Sequence, residues 1–297
     1  MHTETEKQTP SLSFEFFPPH STEANLRLWR SVERLAPLAP KFVSVTYGAG
    51  GATRERTMSA IATIKDRARL NIAGHLTCVG ASKAETLSVA KAYAKMGVKR
   101  IVALRGDAPK GESHFTPHPE GFASAAELVE GLKEAGDFDI SVAAYPEKHP
   151  EAVSLEADIE NLKRKVDAGA SQAITQFFFE KDDFLRFRDL AVKVGVTVPI
   201  IPGILPIENF AKMTRFAKMC QANVPDWMHK AFENAQTQEE TEVLSTALAT
   251  EMCDDLMQEG VQHLHFYTLN NPDLTYNICR GLGVPVNRFA AQNGLVA

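Results

Sequence analysis

The sequence predicts an α/β fold, a single (β/α)8 TIM barrel with extra helices before its last strand. Three observations carry that prediction. Short apolar or β-branched runs alternate with longer segments of helical periodicity, and there are eight such runs. Several of them, such as Ile101-Val102-Ala103-Leu104 and Ile200-Ile201, are apolar on both faces, as strands are when helices cover one side and a barrel core the other. Polar residues gather at the same end of most runs, where burial would otherwise penalise them. Alternation of this kind implies parallel strands joined by right-handed helical crossovers, and eight units favour a closed barrel over an open sheet.

The expected strands are Leu12–Phe17, Phe42–Tyr47, Ile72–Cys78, Arg100–Arg105, Ile140–Tyr145, Ala173–Phe179, Val198–Leu205 and His263–Leu269. Helical periodicity fills Thr22–Leu35, Thr53–Arg67, Lys83–Met96, Ala123–Ala135, Leu155–Ala168, Asp182–Val194 and Glu208–Cys220. Two further helices, Asp226–Asn234 and Glu239–Glu259, precede the eighth strand, and Leu274–Arg280 follows it. Residues 1–10 read as a polar lead-in and 11–297 as the barrel domain. The loop Asp107–Gly121, with three Pro and two His, is long for a strand-to-helix connection, and such loops are often functional.

Composition narrows the function. Of 297 residues, 44% are hydrophobic and 23% charged, and 32 Lys+Arg against 37 Asp+Glu leave a net charge of −5. The signs are mixed, with no long basic run, so neither a nucleic-acid surface nor a membrane surface is expected. Cys78, Cys220, Cys253 and Cys279 are scattered without metal-ligand spacing or any sign of an oxidising compartment. The N-terminus lacks the apolar core of a signal peptide, and no run approaches a membrane span, so the expected location is the cytoplasm.

In a (β/α)8 barrel the active site lies at the C-terminal ends of the strands, where the loops converge. Those ends carry Glu15, Thr46, Tyr47, His75, Thr77, Arg105, Asp107, Tyr145, Glu147, His149, Gln176, Tyr267 and Asn270. Glu15 sits in FEFFPP (Phe14–Pro19), on the face opposite Phe14 and Phe16. Desolvation inside a barrel would raise its pKa, the tuning a general acid needs, although a carboxylate salt-bridged to an interior Arg or Lys fits the pattern equally. GAGGAT (Gly48–Thr53) follows a strand and opens a helix, but it lacks the third glycine of G-x-G-x-x-G, and no acidic residue ends the next strand. It reads as a backbone-permissive loop that lets something flat approach. Arg105 has the fork for a phosphate, and Asp107 the charge to bias a bound ring. Lys163, Arg164 and Lys165 form either a solvated helix face or, where they meet the rim, cations for a pyrophosphate. His263 and His265, an H-x-H on the last strand, suit packing or hydrogen bonding better than a metal, given no companion ligands.

Nine segments in order resemble one family: FEFFPP, VSVTYGAGG (Val43–Gly51), HLTC (His75–Cys78), IVALRGD (Ile101–Asp107), DISVAAYPEKHPEA (Asp139–Ala152), NLKRKVDAGA (Asn161–Ala170), ITQFFF (Ile174–Phe179), PGILP (Pro202–Pro206) and HFYTLN (His265–Asn270). From about Ser13 to Gly283 the chain is similar to the bacterial methylenetetrahydrofolate reductases. The resemblance implies a flavoprotein barrel. FAD there relays a hydride from NADH or NADPH, with NADH the expected donor, to 5,10-methylenetetrahydrofolate. It also implies a role in methionine synthesis and a homo-oligomer.

By matching position, Glu15 resembles the catalytic acid that protonates N10 of the folate, and Asp107 the carboxylate that favours the resulting iminium. Gln176 resembles the amide that meets nicotinamide and pterin, and Phe216 the stacking platform. The implied cofactor shell is Thr46 (nicotinamide), Tyr47, Ala49, His75, Arg105, Gly106, Asp107, Ala125, Tyr145, His149, Ala152, Asp158, Asn161, Arg164 and Lys165. Two positions depart from the family pattern: Asn271 stands where an Arg contacts folate, and Lys212 where a Gln is common. Lys212 is a candidate for holding the glutamate tail in place of the missing Arg. Rival readings are another flavin barrel acting on an amino-acid-derived imine, a non-catalytic folate- or flavin-binding barrel, and a metal-dependent lyase.

Overall fold

The structure is a computed structural model that describes residues 9–47, 54–108, 111 and 114–287. Its strands are β1 (Ser11–Phe16), β2 (Phe42–Val45), β3 (Ile72–Thr77), β4 (Arg100–Leu104), β5 (Asp139–Ala144), β6 (Gln172–Phe177), β7 (Ile200–Ile204) and β8 (His263–Tyr267). They pair in chain order, all parallel, and β8 returns to β1 to close the barrel. The (β/α)8 fold class is therefore the one the alternation predicts.

Helices α1 (Thr22–Leu35), α2 (Arg54–Ala68), α3 (Lys83–Lys95), α4 (Ala125–Ala135), α5 (Leu155–Asp167), α6 (Lys181–Lys193) and α7 (Phe210–Cys220) follow the first seven strands in turn. Next come α8 (Asp226–Glu233) and α9 (Gln238–Gln258), the extra pair before β8, and then α10 (Pro272–Gly281). Five of these helices begin on a hydroxyl cap: Ser21, Ser82, Ser124, Ser154 and Thr237 each accept a backbone N–H of the first turn. Ser82 with Glu85, and Thr237 with Glu240, complete reciprocal capping boxes. A short 3-10 turn, Ala36–Leu38, extends α1 where Pro37 ends the α-helical pattern.

Several strands stop earlier than the apolar runs do. Thr46, Tyr47, Arg105 and Tyr145 leave the ladder and stand on the rim, where the strands have handed over to loops. Side chains alternate about the barrel wall. Phe14, Phe16, Val43, Val45, Leu264 and Phe266 face the helices in the large outer core. The interior holds a small apolar cluster, Phe42, Ala73, Val102, Ile174 and Ile201. Above β6 and β7, Phe177, Leu205, Ile207, Met213, Ala217, Met228 and Phe232 seat α7 and α8 on the rim. Among the described residues no helix is long and apolar enough to cross a membrane.

Candidate active site

Glu15 is delivered by β1, facing inward with Ser13 and lying opposite Ser44 on β2 and Tyr267 on β8. Two imidazoles converge on its oxygen Oε2, His75 Nε2 from β3 at 3.3 Å and His265 Nε2 from β8 at 3.9 Å. The site is nearly closed: the side chains of Glu15, His75 and His265 are 15%, 8% and 1% exposed. His75 Nε2 is buried and reaches no aligned hydrogen bond, and the same is true of Thr77 Oγ1 two residues on.

Here the structure corrects an expectation. Burial pushes the Glu15 carboxyl upward, and this is the largest single influence. Attraction to His265 and then His75 together outweighs it, and the group is held at about 2. Glu15 is therefore a carboxylate before substrate arrives, not a resting acid. The sequence gives the inward face but not the imidazoles, which come from strands 60 and 250 positions away. The inward position of Ser13 and the H-x-H on the adjoining strand were the available signals.

Beside this cluster the rim opens into a cavity of about 440 Å3. Twelve of the expected cofactor positions line it: Tyr47, Arg105, Gly106, Asp107, Ala125, Tyr145, His149, Ala152, Asp158, Asn161, Arg164 and Lys165. The first turns of α4 and α5 both reach the lining, through Ser124 and Ala125 and through Ala157 and Asp158. Helix N-termini present free N–H groups and a positive dipole end, which suits an anion such as a pyrophosphate. The basic run on α5 divides. Lys163 turns to Asp167 as a surface pair, while Arg164 and Lys165 line the cavity.

Lys165 is buried, donates to Ala143 O at 2.6 Å, and is held down at about 8 by burial despite the pull of Asp158. A buried ammonium in that state gains from an incoming anion. Asp158 accepts from the His149 backbone N–H at 2.8 Å, and the His149 ring packs edge-on against Tyr145 at 4.7 Å. Burial and the nearby Arg105 charge lower the pKa of His149, favouring its neutral form. The Arg105 guanidinium is already engaged: Nη1 donates to Glu151 Oε2 at 2.5 Å, and the group lies 4.9 Å over the Phe115 ring. The sequence reading missed Glu151, because a carboxylate in a loop 46 residues away carries no local sign of its partner.

A second cavity, of about 570 Å3, shares Tyr47 and Asp107 with the first and adds Thr46, Phe17, His20 and Asn270. The tip of β8 is fixed there by Asn270, which accepts from Phe17 N–H at 2.9 Å and donates to Phe17 O at 3.0 Å. Asp107 is exposed on the wall common to both cavities. Gln176 is half-buried at the end of β6, with Oε1 accepting from Phe177 N–H at 3.0 Å. Phe216 is 39% exposed and stacks on Phe177 at 5.3 Å, so one face of its ring remains open. Lys212 is exposed one turn before it on α7, and Asn271 is half-buried at the start of α10. His75 lines neither cavity and faces Glu15 instead. Ala49, with the whole Gly48–Thr53 loop, lies outside the described residues. His263 and His265 both hydrogen-bond Ser13, as the packing reading of the H-x-H expects.

Residues 1–283 match the sequence family described as methylenetetrahydrofolate reductase. The 5,10-methylenetetrahydrofolate reductases of Salmonella typhimurium and Escherichia coli are each 52% identical over 275 residues, covering 92% of this chain and 91% of theirs. Methylenetetrahydrofolate reductase (NADH) 1 of Arabidopsis thaliana is 34% identical over 94% of this chain and 49% of its own. Among solved structures, a Clostridium thermocellum protein that binds two copies of 5-methyl-5,6,7,8-tetrahydrofolic acid superposes with a TM-score of 0.59. It is 13% identical and the match covers 94% of this chain and 96% of the other, a likeness of fold. A 2,3-dimethylmalate lyase shares that fold at a TM-score of 0.51 and 10% identity, over 92% of this chain and 80% of its own. With the rim cavity, the inward carboxylate and more than nine-tenths of its length in register with these reductases, the chain belongs to the methylenetetrahydrofolate reductase family.

Proposed function

We propose that the chain reduces 5,10-methylenetetrahydrofolate to 5-methyltetrahydrofolate, with bound FAD and with NADH as the electron donor. The observation that carries this reading is an inward Glu15 paired with His75 on β3, the strand whose last residue, Thr77, lines a rim cavity together with Arg164, Lys165 and the first turns of α4 and α5. The residues fit the cofactor: the buried Lys165 and the positive ends of α4 and α5 for the pyrophosphate, Tyr47 and Tyr145 for the ring system, and Thr77 Oγ1 still lacking a partner. Bound FAD would supply the redox chemistry, taking a hydride from the nicotinamide and giving one to the folate methylene carbon. The NADH preference follows the Arabidopsis relative, which is named for that donor.

The chain's own groups do the rest. Glu15 takes up a proton and gives it to N10 as the bond between N10 and the methylene carbon breaks. The electron pair stays on N10, and the cation left on the N5 side is the hydride acceptor. Asp107, on the wall common to both cavities, supplies a negative charge that favours that cation. Phe216 offers its open face to an aromatic ring, and Gln176 keeps its amide N–H2 free to orient one. A non-catalytic binder has no use for an inward proton donor.

The purified protein is expected to show oxidised-flavin absorbance, alone or after reconstitution. In anaerobic stopped flow, Glu15→Gln should slow flavin reoxidation by methylenetetrahydrofolate at least 100-fold and leave reduction by NADH within about threefold. A variant that loses the NADH step and keeps the folate step would refute the assignment.

A further inference from the structure

We propose that Glu15 is reprotonated through the barrel interior, along a line His263–Ser13–His265 that begins at the N-terminal end of β8, away from the flavin cavity. This rests on the reading of Glu15 as the donor to folate and adds where its proton comes from.

The line is continuous on one inner wall. His263 and His265 alternate with Leu264 and Phe266, which are buried against the helices, so both imidazoles face inward. The parallel ladder sets His263 beside Ser11, His265 beside Ser13, and Tyr267 beside Glu15. His263 Nε2 lies 3.0 Å from Ser13 Oγ, and Ser13 Oγ lies 2.7 Å from His265 Nδ1. His265 Nε2 then faces Glu15 Oε2 at 3.9 Å, a gap that must close by about 1 Å to conduct.

One assignment of hydrogens satisfies every link in the same direction. His263 Nε2–H donates to Ser13, the Ser13 hydroxyl donates to His265 Nδ1, and His265 Nε2–H points to the carboxylate. A proton entering at His263 Nδ1 therefore moves the chain one step, and Glu15 Oε2 gains one proton with no electron transferred. Ser13 is fully buried and His265 is 1% exposed, so the middle of the line excludes bulk water. Phe42 holds both rings, edge-on to His263 at 5.8 Å and stacked on His265 at 6.2 Å.

His263, the first residue of β8, is only half-buried. Burial, with the charges of His265, Lys41 and Arg100, holds it down at about 3. A proton therefore passes through this ring without resting there. The low value of Glu15 makes such a supply necessary, because the carboxylate must regain a proton in every turnover.

The test uses the flavin-loaded full chain, reduced and mixed anaerobically with methylenetetrahydrofolate in H2O and in D2O. Ser13→Ala cuts the line without changing charge, His263→Phe keeps the ring stack without the nitrogens, and Ser13→Thr keeps the hydroxyl. Both cuts are expected to slow flavin reoxidation tenfold or more and to enlarge the solvent isotope effect. Ser13→Thr should recover most of the rate, and reduction by NADH should stay unchanged in all three. Wild-type rates and isotope effects in Ser13→Ala and His263→Phe would overturn the proposal and place the proton's entry at the rim. Equal slowing of both half-reactions would also overturn it, since that marks a structural role. If Ser13→Ala fails to hold flavin, His263→Phe decides. Wild-type enzyme that methylenetetrahydrofolate cannot reoxidise would instead sink the functional reading itself.

Discussion

Lys165 lines the rim cavity and donates to Ala143 O, and its ammonium is held near 8. The sign follows directly. Below that pH the ligand-free protein carries the buried charge at some cost in stability, and a bound pyrophosphate relieves it. As pH rises through 8 toward the ordinary lysine value, the free protein loses this proton and with it part of its attraction for the cofactor. FAD affinity is expected to fall up to tenfold per pH unit between about 8 and 10, read by quenching of flavin fluorescence. Lys165→Met should flatten that slope and weaken binding at pH 7; an unchanged profile would remove Lys165 from the cofactor site. Glu15 runs the opposite way. Its depressed pKa means that its pairing with His75 and His265 stabilises the fold above the ordinary carboxylate value and is lost as pH falls toward 2. The sequence marks Glu15 as an inward carboxylate and Lys165 as one of three basic positions, but the groups that set their pKa values are brought near only by the closed barrel.

Among the elements, β6 and β7 show how a strand pair is tuned for the site. Their register shifts between Ile174 and Phe177, and across that irregularity Gly203 N–H donates to Thr175 Oγ1 at 2.9 Å. Tyr267 OH reaches in from β8 to donate to Thr175 O at 2.6 Å. A Cβ on Gly203 would lie 2.2 Å from Thr175 O and 2.5 Å from the Tyr267 ring, and the backbone oxygen cannot step aside cheaply. Gly203→Ala should therefore cost about 2–4 kcal/mol in urea unfolding and should displace Tyr267 beside Glu15. A loss under about 0.5 kcal/mol would show that the contact relaxes. The helices were more legible than the strand ends. Ser82 with Glu85 and Thr237 with Glu240 announce their caps locally, and the structure uses both. Strand ends are harder to read, because apolar character continues past the last ladder hydrogen bond at Cys78 and Phe178, which stay buried outside the sheet.

For the whole molecule, the rim cavity gathers Arg105, Arg164, Lys165 and the first turns of α4 and α5 from separate strand-to-helix connections, and a cofactor held there would tie them together. A ligand that binds only the folded state raises apparent stability by about 2.7 kcal/mol at 100 times its Kd. At about 0.6 kcal/mol per degree for a chain of this size that is about 4 °C, so reconstitution with FAD should raise the Tm by at least that much. Releasing Arg105 by Glu151→Gln should strengthen the effect, because Glu151 competes for the guanidinium. Calorimetry showing no shift in either protein would argue against a flavin in this cavity.

The sequence alone determined the barrel, its eight strands, the two added helices and the end of the barrel that carries polar groups, because periodicity of two and of 3.6 residues is written locally. It also supplied most of the cavity lining, through the ordered segments that resemble the family. Only the tertiary structure decided that Glu15 is a carboxylate between His75 and His265, that Arg105 is held by Glu151, and that Lys163 faces solvent while Lys165 is buried. Those outcomes depend on distances between strands far apart in the chain, and charge and desolvation act through space, not along the sequence.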